Sequence, residues 1–206
     1  MSAVVPDAMK ILSWNYQGIG PPWTVWTLTE LIKLHRSGLI FLSETKCKDI
    51  NAWLHSDSSP DRWRFTGFYE YSEVANRREG WNLLRRLSQS FVRPWVCVGD
   101  FIEILAQHEK QGSLPRAQWQ IRDFCECLSD CGLYDMGYEG DIFTWCNRRE
   151  EPHMVRARLD RACYDTNWVD LFPRVNVFHE PLACLDHSAI WLTLDGESRR
   201  GLNRTK

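Results

Sequence analysis

A chain of 206 residues with 44% hydrophobic and 25% charged residues has the make-up of one globular domain with a sizeable core, which excludes global disorder. Its formal net charge of −2 gives no overall electrostatic case for nucleic acid, so a polyanion would need a local basic rim or a bound cation. Eight cysteines without one CxxC pair argue against structural zinc, and eleven tryptophans read as core and sheet packing.

Residues 1–8 read as a flexible leader, and Met9–Asn15 as the first strand, broken by the Gly-Ile-Gly-Pro-Pro run that ends at Pro22. Thr24–His35 places Val25, Leu28, Leu31, Ile32 and His35 on one helical face, with Gly38 as its stop. Leu39–Ser43 is a short buried strand, so the chain opens with strand, helix, strand, which is α/β logic. From Cys47 to Asp61 the chain is polar and reads as a loop or weak helix.

Aromatic alternation makes Trp63–Tyr69 a strand, and Glu73–Phe91 a helix that buries Trp81, Leu84, Leu87 and Phe91. Trp95–Gly99 is a strand, and Pro115–Cys131 a helix opened by proline and closed near Gly132. Thr144–Asn147 and Val155–Ala162 read as a strand pair around the turn Arg148–Pro152. A short helix over Thr166–Phe172, strands at Val175–His179 and Ser188–Leu194, and a charged tail at 196–206 complete the chain. The N-terminus lacks the basic start and apolar stretch of a signal peptide, and no window reaches membrane-spanning length. With free thiols, this reads as an intracellular protein with no membrane partner, nuclear and cytoplasmic sites not being separated.

Polar residues stand at or near the ends of the apolar runs. Asn15 follows Ile-Leu-Ser-Trp, Glu44 follows Leu-Ile-Phe-Leu-Ser, and Asp100 follows Trp-Val-Cys-Val-Gly. Asp160 follows Ala-Arg-Leu, and the Asp186-His187 pair precedes Ser-Ala-Ile-Trp-Leu. Strands ending this way bring carboxylates, an amide and an imidazole to one rim, where a hard cation and a phosphodiester would both find partners. Arg148 and Arg149, in a turn near that rim, are the basic pair best placed to meet a nucleic-acid backbone, whereas the helical arginine pairs read as solvated faces.

The motifs MKILSWNYQGIG, LIFLSETK, WRFTGFYEYSEVANRREGWNLLRRL, PWVCVGDFIEIL, GLYDMGYEGDIFTWCNRREEPHMVRARLDRA and CLDHSAIWL occur in this order. Over 9–195 the chain thereby resembles the endonuclease/exonuclease/phosphatase domain of plant non-LTR (LINE-type) retrotransposons. The resemblance implies a four-layered α/β sandwich and a DNA-nicking phosphodiesterase that uses Mg²⁺ or Mn²⁺. It implies Asn15 and Glu44, with Asp186, at the cation, and Tyr69 on the phosphate. Asp100 would align the attacking water, and Asp160 would partner the catalytic His187. No reverse transcriptase is read in the chain.

Three departures from the family pattern imply impaired turnover. Ile102 stands where the family has asparagine, Tyr16-Gln17 replaces Cys-Arg, and the segment around 47–62 is short. The shortening implies one or more missing strands, with Trp63–Tyr69 beside a gap or edge, and is expected to weigh more than Ile102. The rival readings are a non-catalytic nucleic-acid or protein-binding module on the same scaffold, and the product of a decayed element.

Overall fold

The structure, a computed structural model, describes residues 2–5, 10–15, 22–35, 38–43, 49–56, 59–69, 73–90, 94–182 and 185–194. The first half holds strands β1 (Ser2–Val5) and β2 (Lys10–Asn15), helix α1 (Pro22–His35), and strands β3 (Leu39–Ser43), β4 (Asp49–Ser56) and β5 (Ser59–Tyr69). Helix α2 (Arg77–Ser90), strands β6 (Trp95–Asp100) and β7 (Lys110–Gln111), and helix α3 (Gln118–Cys131) follow. Short strands β8 (Tyr134–Asp135), β9 (Trp145–Cys146) and β10 (Arg156–Ala157) lead to β11 (Asp160–Tyr164). Helix α4 (Thr166–Leu171) and strands β12 (Asn176–Glu180) and β13 (Ala189–Thr193) close the described chain.

Two sheets carry the core. One has the order β1-β4-β5-β6-β11-β8 and the other β12-β13-β2-β3, while β7-β10-β9 forms a small third sheet. Successive side chains on a strand face opposite ways, so each apolar strand can feed two layers. Ile11, Val96, Val98, Ala162, Ile190 and Leu192 fill the space between the two large sheets, with Phe41, Trp63 and Phe65. Their neighbours face outward. Leu12, Trp14 and Trp191 pack with Leu31 of α1, while Trp95 and Cys97 pack with Trp81 and Leu84 of α2 and Phe124 of α3. Helix, sheet, sheet, helix is therefore the layer order.

Gly67 permits the close approach of the two sheets: a Cβ there would lie 2.3 Å from the Phe41 ring. Gly67→Ala is expected to destabilise the fold by about 1–3 kcal/mol, read as a lower urea midpoint, because the buried Phe41 has no room to move.

Several expectations are corrected. The polar stretch within Cys47–Asp61 is not a loop or weak helix: residues 49–56 form β4, which pairs antiparallel with β5. β5 also pairs in parallel with β6, so Trp63–Tyr69 lies inside the sheet and not beside a gap. Within the polar stretch, Ile50, Ala52 and Leu54 alternate with period two, which suits a strand, and backbone pairing with β5 does the rest. Ser2–Val5, expected within a flexible leader, pairs in parallel with Trp53–Ser56. Among the described residues the four-stranded sheet runs from β12 to β3, and the six-stranded sheet from β1 to β8. The expected pair Thr144–Asn147 with Val155–Ala162 is split. Arg156–Ala157 pairs with β9, whereas Asp160–Tyr164 crosses to the six-stranded sheet. α3 begins at Gln118, later than Pro115, and ends as expected at Gly132, whose φ of 64° suits glycine. The tail at 196–206 lies outside the described residues.

Candidate active site

The inward faces turn polar at one rim. Ile11, Ser13 and Asn15 alternate along β2, and Val96, Val98 and Asp100 along β6. Tyr69 closes the inward series of β5 and stands opposite Asp100 in the parallel ladder. Asp160, the first residue of β11, stands opposite Asp100 in the antiparallel ladder. Asp100 and Asp160 each extend an apolar inward stripe by one position, and Asn15 follows Ile11 and the buried Ser13, so all three stand at the same end of the sandwich.

Contacts follow from that placement. Asn15 Nδ2 donates to Asp100 Oδ2 at 2.9 Å and lies 3.4 Å from His187 Nε2. His187 Nδ1 donates to Asp160 Oδ2 at 2.9 Å, and its Nε2 lies 3.7 Å from Asp100 Oδ2. Asn15, Asp100, Asp160 and His187 are all buried. Thr144 clamps two of the elements: its Oγ1 accepts from the N–H groups of Leu159 and Asp160, and its carbonyl accepts from Ser188 N. Thr144 has no signal in the sequence beyond its place ahead of an apolar pair.

Burial disfavours charge on Asp100, and the neighbouring Asp160 carboxylate adds to this, raising the Asp100 carboxyl to about 7. Burial alone would lower His187, but the Asp160 and Asp100 carboxylates outweigh it and raise the imidazole to about 10. The site therefore holds an imidazolium fixed by one carboxylate and facing another. That division of roles among titratable groups is the usual mark of acid–base chemistry.

Donors suited to a hard cation are present. The carboxylate oxygens of Asp100 and Asp160 lie within 4.8 Å of each other and of a His187 nitrogen, which as an imidazolium ligates nothing, and Asn15 Oδ1 is buried with no hydrogen-bond partner among the described residues. An orphaned buried oxygen beside carboxylates fits a divalent ion. Asp186 is not in that group, although its charge also favours the His187 imidazolium. Glu44 lies outside the described residues, directly after β3, whose Ser43 stands opposite Asn15. Arg148 and Arg149 are exposed in the turn after β9, where Cys146 N donates to the Asp186 carbonyl, so the turn adjoins the His187 segment.

Ile102 follows directly. Its N–H donates to Asp100 Oδ1 at 2.9 Å, and its φ of 53° lies in the left-handed region. A β-branched side chain is strained there, whereas asparagine is among the residues that tolerate it. Ahead of Asp100, Gly99 has φ 148°, and a Cβ would lie 2.0 Å from the Phe68 carbonyl oxygen. The turn is built for glycine at one end and asparagine at the other.

Beneath the rim lies an ionic cluster that the sequence hides. Arg161 is fully buried and pairs with Glu109 at 2.8 Å, and Arg158 pairs with Glu109 at 3.0 Å and Asp135 at 2.6 Å. These arginines flank Asp160 and anchor the start of β11. Burial pushes the Glu109 carboxyl up, but the Arg161 guanidinium outweighs it and Arg158 adds to it, leaving Glu109 below its ordinary 4.5. The native state therefore binds fewer protons than the unfolded chain just below that value. Glu109's contribution is present above about pH 4.5 and is lost as pH falls through the folded value. Glu109→Gln is expected to cost about 3 kcal/mol at neutral pH and to flatten the acid limb of a stability-versus-pH curve, because it leaves buried arginines under-compensated.

The architecture and the rim define a four-layered α/β sandwich of the DNase I-like, endonuclease/exonuclease/phosphatase type. Solved structures agree on that fold. The endonuclease domain of TRAS1, a telomere-specific non-LTR retrotransposon, superposes with TM-score 0.67 at 10% identity, covering 90% of this chain and 97% of that one. The AP endonuclease LMAP from Leishmania major gives 0.63 at 10% identity, covering 90% and 87%. TDP2 from C. elegans gives 0.54 at 14% identity, covering 91% and 76%. No protein-family model matches the chain. No curated protein matches its sequence. No helix among the described residues is long and apolar enough to cross a membrane.

Proposed function

We propose that this chain is a Mg²⁺-dependent phosphodiesterase domain of retrotransposon origin that nicks DNA, with turnover impaired by Ile102. The observation that carries the proposal is the convergence of Asn15, Asp100, Asp160 and His187 on one buried rim from four separate segments. The likeness of the fold to the TRAS1 endonuclease domain supports the retroelement reading, and the motif resemblance supports the plant LINE-type form.

Asn15 and Glu44, with Asp186, would hold the cation, which when bound neutralises phosphate charge and orients the scissile group. Asp100, raised to about 7, suits acceptance of a proton from an attacking water near neutral pH. Asp160 fixes His187 so that Nε2 faces the phosphate path, where an imidazolium hydrogen-bonds developing oxyanion charge. Tyr69, across the ladder from Asp100, would contact a phosphate oxygen, and the Arg148-Arg149 turn would meet the DNA backbone.

Supercoiled-plasmid nicking with Mg²⁺, Mn²⁺ or EDTA tests this. Nicking that EDTA abolishes is expected. Salt-sensitive DNA binding without nicking under any condition would move the chain to the rival class of non-catalytic binding modules. For the cation, Glu44→Gln is expected to weaken Mg²⁺ binding in titration calorimetry, and equal affinity would remove Glu44 from the site.

A further inference from the structure

A cavity of about 290 Å³ lies between the start of α2 and the start of α3, lined among others by Arg77, Arg78, Trp81, Glu103, Trp119 and Asp123. It is a built site. Glu103 and Arg77 are buried and paired at 2.7 Å, and Arg116 holds the second Glu103 oxygen at 2.9 Å. The helical arginine pair read as a solvated face is therefore half interior. Trp81 is buried against Phe68 and Phe124, whereas Trp119 is 49% exposed, a large cost-free face for stacking.

The cavity lies on the helix-covered face of the six-stranded sheet, at the same end as the rim. β5 and β6 are parallel and end side by side at Tyr69 and Asp100, so the helix that follows β5 starts at that end. Glu103 is three residues past Asp100, which bounds their separation at about 11 Å. Ile102, between them, is bonded to the Asp100 carboxylate.

The lining also restricts the occupant. Its two arginines and two carboxylates balance, so it selects neither an anion nor a cation. One exposed indole, Trp119, with the Arg78 and Asp123 side chains in the same lining, suits a planar, neutral, polar ring. Next to a rim that takes a phosphodiester, the ring of that kind is a nucleobase.

We infer that this cavity is a base-binding subsite, which takes an unstacked nucleobase of the substrate strand near the scissile phosphate and stacks it on Trp119. The inference rests on the phosphodiesterase reading for its substrate class. It places selectivity for unpaired or distorted DNA in the α2–α3 cleft, apart from the Arg148-Arg149 turn.

The test uses fluorescein-labelled 12-nucleotide single strands, intact or with one abasic residue at each position in turn, bound in EDTA to the full chain. Wild-type protein is expected to lose affinity by on the order of tenfold for strands with the abasic residue at one position. Trp119→Ala should bind the intact strand as weakly as that probe and show no further loss, and Trp119→Phe should recover most of the affinity. Because Trp119 lies at the surface, an unchanged thermal midpoint in both variants accompanies the expected result. Equal binding of all strands by wild type and Trp119→Ala would overturn the subsite while leaving the phosphodiesterase reading standing. Absence of DNA binding by the wild type, together with absence of EDTA-sensitive nicking, would overturn both.

Discussion

Replacing Ile102 with asparagine is expected to raise Mg²⁺-dependent plasmid nicking by roughly 10²–10³ and to stabilise the fold at the same time. The rate gain comes from a side-chain amide next to Asp100 that can hydrogen-bond a phosphate oxygen, which isoleucine cannot. The stability gain comes from the backbone. Residue 102 holds a φ of 53°, where a β-branched side chain is strained and asparagine is tolerated. Relief of about 1 kcal/mol, or about 2–4 °C in Tm, is expected, since Ile102 is only partly buried and little apolar contact is lost. The shortened 47–62 segment was expected to outweigh this residue. With β5 flanked by β4 and β6, the scaffold beneath Tyr69 and Asp100 is continuous, so the larger expected effect is assigned to Ile102. Nicking that stays at background in a more stable Ile102→Asn protein would show that Ile102 does not limit it and would turn the test to the Tyr16-Gln17 replacement.

In the Ile102→Asn background, His187→Ala is expected to remove nicking by about 10²–10⁴, the usual range for a positioned acid or base. Asp160→Asn should come close to it. The amide still accepts the Nδ1–H bond, but it no longer supplies the charge that, with Asp100, keeps the imidazole protonated. The cost of Asp160→Asn should therefore depend on His187: in a His187→Ala protein it should be small. Independent, additive losses would show that the two residues do not act as a unit. Circular dichroism and melting curves separate catalytic loss from unfolding, and Thr144→Val, which removes the clamp on both segments, should lower stability as well as rate.

Most of the rim is legible in the sequence, because the signal is local. Period-two alternation in Ile11–Asn15 and Val96–Asp100 says which residues share a face, and a polar residue that extends an apolar inward stripe must sit where the core ends. Asp100 and Asp160 are of that kind, Asn15 and the Asp186-His187 pair likewise border apolar runs, and the family resemblance added Tyr69. What the alternation does not contain is partnership. Residues 49–56 read as a loop because the polar residues on either side mask the short alternation Ile50, Ala52, Leu54, and only the edge that β5 offers shows that they form a strand. Arg158 and Arg161 look like surface charges, because an arginine becomes an interior residue only when Glu109 and Asp135 arrive from distant segments to compensate it. Thr144 and the α2–α3 cavity belong to the same class. The strain at Ile102 is likewise visible only in φ, not in the letter. Local periodicity determined the strands, their faces and the rim residues; the tertiary structure alone decided the pairings, the buried charges and the cleft, because each depends on which remote segment supplies the complementary group.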